Sequence, residues 1–172
     1  MNKKLNIPML ILLVGIATII ISLFIPYVSA TEEYAKILNI SPNTPFYEKI
    51  NMTNREAMNL SLFDMANIYY HGANIFYKYF VPIAMVTIGI FSLLNILFSV
   101  LKKPIAVIVF DVLTVGTFAL LNWDFQDRGI FTNKYNFSIS YYLFYIAVMV
   151  IFIGAVWLLI NKIKDKKKSI EY

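Results

Sequence analysis

The chain reads as an all-α integral membrane protein, a four-transmembrane-helix antiparallel bundle with a short amphipathic extracytoplasmic helix in its first outer loop. Three observations lead there. Of its 172 residues 59% are hydrophobic and only 15% charged, well beyond the roughly 45–50% apolar content of soluble domains, and mean hydropathy is +0.67. Four apolar runs, at residues 7–28, 79–101, 105–123 and 139–160, meet the requirement of about 20 residues per span. Lysine and arginine then sort to one side of those runs, as retention of basic loops in the cytoplasm demands. Nine lysines (3, 4, 102, 103, 162, 164, 166, 167, 168) face two acidic residues there, whereas six basic residues face seven acidic ones on the other side. Both termini are expected in the cytoplasm, and the whole chain forms one membrane domain.

The first run follows Met1-Asn2-Lys3-Lys4 and precedes Val28-Ser29-Ala30, so the start also has the form of a secretory signal. Signal cores hold about 7 to 15 apolar residues, and this stretch continues over residues 7–25. An uncleaved first helix is the expectation. Gly15, Thr18 and Ser22 recur along it at spacings that share one helix face.

The outer segment at residues 29–74 is too long for a simple turn. Ser29-Ala30-Thr31-Glu32 and Thr53-Asn54-Arg55-Glu56 both carry capping-box spacing, in which a hydroxyl and a carboxylate satisfy orphan amides reciprocally. Pro42 and Pro45 break the chain between them. The second signal predicts a helix over about residues 54–71, ending near Gly72, with Met58, Leu62, Met65 and Tyr69 on one amphipathic stripe. That stripe is the expected partner-binding face. Glu56, Asp64, Asn67 and His71 share another arc of the same helix. Asp64 and His71 make a weak metal pair, lacking the doubled histidine of zinc helices.

Lys102-Lys103-Pro104 is a minimal inner turn, which makes the second and third spans antiparallel neighbours, and proline suits the first turn of the next helix. The outer loop at 124–138 is aromatic and, with Trp123, Tyr141 and Tyr142, forms an interfacial belt. The tail at 161–172 is basic and favours an anionic inner leaflet.

Asp111 is the single charged residue inside the four apolar runs. An ionisable group at membrane depth costs roughly 2.5–3.5 kcal/mol on insertion scales. At 1.5 Å rise per residue, Asn95 and Asp111 lie about 9 Å inside the inner ends of adjacent helices, so a hydrogen bond between them is expected. They either lock two helices or, with Thr18, Ser22, Ser92, Thr114 and Thr117, line a polar route for a proton or cation.

Cysteine is absent, which removes thiol chemistry, thiolate metal sites and disulfides. No Gly-rich phosphate loop, nucleophile elbow or His-rich metal motif occurs, so the protein is read as a non-enzyme without cofactor. The pI near 9.3 reflects topological sorting and does not indicate nucleic acid. Usage rich in Ile, Asn, Lys and Tyr fits a bacterial plasma-membrane protein.

Inner termini, a longer first outer loop, a shorter second one and a tiny inner turn together resemble the topology of claudin-like tetraspan proteins. The Trp-Gly-Leu-Trp run and the cysteine pair of that family's first loop do not occur in this chain, so the resemblance implies architecture and no function. The expected role is an accessory, assembly or protective, immunity-like subunit whose outer loop binds another membrane protein or a second copy. A small oligomeric transporter or channel using Asp111 is the alternative, and a membrane enzyme with an outer metal site the third reading.

Overall fold

The computed structural model describes residues 7–72, 75–129 and 133–168. The elements in order are α1 (Ile7–Ser22), β1 (Pro26–Ala30), α2 (Glu32–Ile40), β2 (Pro45–Tyr47), a 3-10 turn (Glu48–Ile50), β3 (Met52–Thr53), α3 (Asn54–Ala57), β4 (Asn59–Ser61), α4 (Leu62–Gly72), α5 (Ile75–Val100), α6 (Pro104–Asp127), β5 (Tyr135–Phe137) and α7 (Ile139–Lys168). The protein is mostly helical. Among the described residues α5, α6 and α7 are long and apolar enough to cross a membrane. Their outward faces carry large apolar side chains such as Ile83, Leu93, Val112, Leu120, Met149 and Phe152, all more than 40% exposed, which is the mantle that lipid covers.

Among the described residues α1 is apolar and has 16 residues, about 24 Å of helix against a hydrocarbon thickness of about 30 Å. The first apolar run therefore does not stay helical to residue 28. Pro26 disfavours helix at the residue before it, the chain turns at Leu23 and Phe24, and the β-prone Tyr27 and Val28 enter a strand.

α1 packs against α7 and α5, and α6 fills the place between α5 and α7, closing a ring of four helices. Glycine sets the closest seam. A Cβ on Gly15 would stand 2.7 Å from Ile151 Cγ1 and 3.2 Å from the Ala147 carbonyl, and one on Gly154 would stand 3.1 Å from Leu12. Small residues that let helix backbones approach in this way replace the missing hydrophobic drive of helix association in lipid. At the α5–α6 corner the Lys103 amide donates to Phe98 O at 2.9 Å and the Lys102 amide to Ser99 O at 3.1 Å. Lys102 sits at φ 52°, the left-handed position that closes a Schellman motif, and Pro104 starts α6 directly after it.

Beyond one end of the ring lies a folded cap. β1 is the central strand of a three-stranded antiparallel sheet, ordered β4-β1-β5. Val28 stands opposite Leu60 on one side and Phe137 on the other, so both loops at this end are joined in one sheet. β2 and β3 form a separate hairpin.

Four local expectations change. The helix expected over 54–71 is split by β4 into α3 and α4, because Ser61 starts a helix of its own: its amide and hydroxyl donate to Asp64 Oδ2 at 2.9 and 2.6 Å, and its oxygen accepts from the Asp64 amide at 3.1 Å. Thr31, not Ser29, caps α2, accepting from the Tyr34 amide at 3.4 Å, while Ser29 lies in β1. α6 runs past residue 123 to Asp127. α7 continues past residue 160 to Lys168, so much of the expected tail is helix. Lys3 and Lys4 lie outside the described residues.

The Thr53 capping box forms as expected. Glu56 Oε2 accepts from the Thr53 amide at 2.8 Å and from its hydroxyl at 2.9 Å, and these bonds, the backbone one foremost, hold the Glu56 carboxyl below its ordinary value of 4.5.

Gly15→Val is expected to separate α1 from α7 and lower the thermal midpoint in detergent by several degrees. Gly89→Ala and Gly116→Ala, which meet nothing within 4 Å, should leave it unchanged or raise it, since alanine favours helix over glycine by up to about 1 kcal/mol. A depressed carboxyl stabilises the fold above its unfolded pKa and ceases to as pH falls through the folded value. Protease sensitivity of the α3 segment should therefore rise below about pH 4.5, by a small step suited to an exposed group, and Glu56→Gln should flatten that step.

Candidate functional site

Two places gather side chains that could act: a buried polar set inside the helix ring, and a pocket in the cap.

The polar set occupies the half of the ring nearer the lysine-bearing corner. Ser92, Asn95, Ser99 and Thr114 are fully buried and Asp111 is 1% exposed. Phe110 packs against both Phe91 and Phe98, with ring centroids 5.6 and 5.4 Å away. Counting along the antiparallel helices from that contact sets Asn95 level with Asp111, Ser92 with Thr114, and Ile88 with Phe118. The shared depth is as expected; the hydrogen bond is not made. Asn95 Oδ1 and Nδ2 and Asp111 Oδ1 are buried without partners. The hydroxyls behave differently, each returning to its own helix: Ser22 to Ile19 O at 2.6 Å, Ser92 to Ile88 O at 2.8 Å, Ser99 to Asn95 O at 2.6 Å and Thr114 to Phe110 O at 2.7 Å.

Thr18 and Thr117 are not part of this interior. They are only half-buried and bond Val14 O and Leu113 O of their own helices. Towards the cap the set ends in an aromatic layer. Phe118 stacks on Phe144 with centroids 3.7 Å apart, and Tyr27 and Phe125 close over them, all four fully buried. This layer stands between the polar set and the cap. Tyr27 donates its hydroxyl to Asn122 Oδ1, and Asn122 Nδ2 donates to Phe118 O at 2.7 Å. Sequence reasoning missed this pair, because Tyr27 was counted within the first span. An Asn one residue before the interfacial Trp123 was the available signal.

The pocket lies in the cap and encloses about 450 Å³. Phe46 and Tyr47 come from β2, Leu60 from β4, Met65, Ile68, Tyr69 and Gly72 from α4, and Tyr135 from β5. Both loops therefore build it. Tyr135 donates its hydroxyl to Ala57 O at 2.8 Å, fixing the second loop to α3. Lys49 Nζ donates to His71 O at 3.1 Å, tying the 3-10 turn to the end of α4 where a cation complements the helix dipole. Tyr47 lies over Gly72, where a Cβ would stand 2.6 Å from its hydroxyl oxygen, and that hydroxyl is buried with no partner. Arg128 pairs with Asp124 and rests on the Tyr69 ring, 5.3 Å from its centroid. Burial raises the phenol pKa of Tyr69 and Tyr135, so both stay protonated.

Met58, Leu62, Met65 and Tyr69 do not form an open face. Leu62 and Met65 are buried, and Met58 and Tyr69 pack against the core. The stripe looks inward, and only Met65 and Tyr69 reach the pocket. The metal pair is not assembled either: the Asp64 carboxylate is taken up by Ser61, and His71 Nδ1 lies 3.0 Å from Asn67 O, about 10 Å further along the helix. Among the described residues no group of three or more metal-ligating side chains occurs.

No protein-family model, no curated protein and no solved structure matches this chain.

A buried polar group left unpaired costs about 1–3 kcal/mol. Asn95→Leu and Asp111→Leu should each raise the thermal midpoint in detergent if nothing else engages these atoms. A lowered midpoint in Asp111→Leu, restored in Asp111→Asn, would show that the side chain is a lock after all.

Proposed function

We propose that the protein is a non-enzymatic four-span plasma-membrane protein, an accessory, assembly or protective subunit that binds a partner through its extracytoplasmic cap. The observation that carries the reading is the aromatic pocket, built jointly by two loops that a sheet holds in register. Pockets of this kind, mostly apolar with a few converging polar atoms, are the usual form of recognition sites. The aromatic walls suit an apolar anchor residue from another protein.

α1 counts as the fourth span. It is short, but its close seam with α7 and its outward Leu10, Val14 and Ile21 continue the apolar mantle of the other three helices. The lysine-bearing ends of the bundle then face the cytoplasm by the positive-inside rule, and the cap faces out. The nearly balanced charge of the cap favours a partner held by shape and apolar contact over one steered by charge. Composition supports a bacterial source.

Phe46 and Ile68 are half-buried at the pocket, so substituting them should leave the bundle folded. Affinity purification from native membranes after cross-linking is expected to bring down a membrane protein, or a second copy of the chain, in fixed stoichiometry. Phe46→Glu and Ile68→Glu should reduce that capture at least tenfold while retaining the wild-type elution volume and midpoint. Equal capture by wild type and both variants would sink the reading. Proton-coupled flux in liposomes, abolished by Asp111→Asn, would favour a transporter in its place.

A further inference from the structure

We propose that the groove between the lysine-bearing ends of α6 and α7 is a docking site for one anionic phospholipid, with the phosphate at Lys103, Lys162 and Lys166 and an acyl chain along Ala106, Val109 and Ile163. The groove encloses about 660 Å³ and its walls are almost wholly apolar. Ala106 is the small residue that opens it, and Val109 and Ile163 are each 50% exposed along it.

Charge is concentrated at its mouth. Lys162 and Lys166 are four residues apart on α7 and so share one helix face, while Lys103 comes from the start of α6. Lys162 Nζ is held there by a bond to Lys102 O at 3.5 Å. The neighbouring acid, Asp165, lines an adjoining depression with Leu101 and Leu158, and Lys162 stands between the two. No side chain caps the start of α6, so its first amides add to the positive field at the same mouth.

The dimensions and setting select a lipid over a protein segment. From Lys103 to Val109 the helix rises about 9 Å, the distance from a headgroup phosphate into the upper acyl region. The groove opens sideways onto the apolar mantle at Ile105 and Val112, where lipid is already the neighbour. Basic pockets between membrane helices recognise phospholipid headgroups by this combination of charge and apolar wall.

The test uses the purified full-length protein in mixed micelles of phosphatidylglycerol and phosphatidylcholine, with bound lipid counted by native mass spectrometry. One phosphatidylglycerol should be retained in preference. Lys103→Gln with Lys162→Gln should weaken retention about fivefold per lysine, as expected for charges near an anionic surface. Ala106→Trp should abolish it with every charge in place, and Ala106→Leu serves if the larger residue disturbs folding. Lys164→Gln with Lys167→Gln, the same charge loss away from the groove, should retain it. Equal loss in that control, equal retention of phosphatidylcholine, or displacement of the lipid by inorganic phosphate overturns the proposal.

Discussion

Where α1 stops, its last carbonyls lose their helical partners while still surrounded by apolar side chains, and the rest of the structure is arranged around satisfying them. An unpaired peptide group in such a setting is costly. Ser22 O accepts from the Ser140 hydroxyl at the start of α7, Leu23 O from the Phe63 amide in α4 at 3.1 Å, and Tyr27 O from the Ser138 amide at 2.8 Å. Tyr27 already belongs to β1, which pairs on both edges. One short stretch of backbone thereby joins the helix ring to the cap, and the two loops to each other. The cap holds a pocket shape because its walls are bonded through this joint.

How much of this was legible follows from how local each cause is. The long helices, the tight corner at Lys102-Lys103-Pro104 and the Thr53 capping box arise from neighbouring residues, and all could be read from composition and spacing. The strands could not. They are two to five residues long, and β1 acquires its identity from groups 30 and 109 residues away, as the bonds from Ser29 to Asn59 and Ser138 show. The Met58, Leu62, Met65 and Tyr69 stripe shows a related ambiguity. Periodicity establishes that one face is apolar but not whether that face meets the bundle or a visitor. Ser61-Leu62-Phe63-Asp64 held the signal that would have split the helix, and it was overshadowed by the stripe.

For the candidate site, depth was readable and bonding was not. Counting turns brought Asn95 and Asp111 to one level, since helix rise is fixed. Whether two side chains at one level meet depends on helix rotation and rotamer, which spacing alone does not fix. The serines and Thr114 escape the problem because a hydroxyl can return to the carbonyl one turn back on its own helix. Asn95 and Asp111 make no such return, and within this polar set theirs are the atoms left unpaired.

The aromatic layer decides how the two halves of the molecule relate. Tyr27, Phe118, Phe125 and Phe144 lie between the polar set and the cap, all fully buried. Tyr27 belongs to the central strand of the sheet, bonds Asn122, and through it reaches the Phe118 carbonyl, while Phe118 stacks on Phe144 of α7. Packed interiors are stiff, so β1 and the place where α6 meets α7 form one connected unit through these contacts. The groove at the lysine end lies between those same two helices. One stack of rings thus runs from the central strand of the cap to the helix pair that bears the groove.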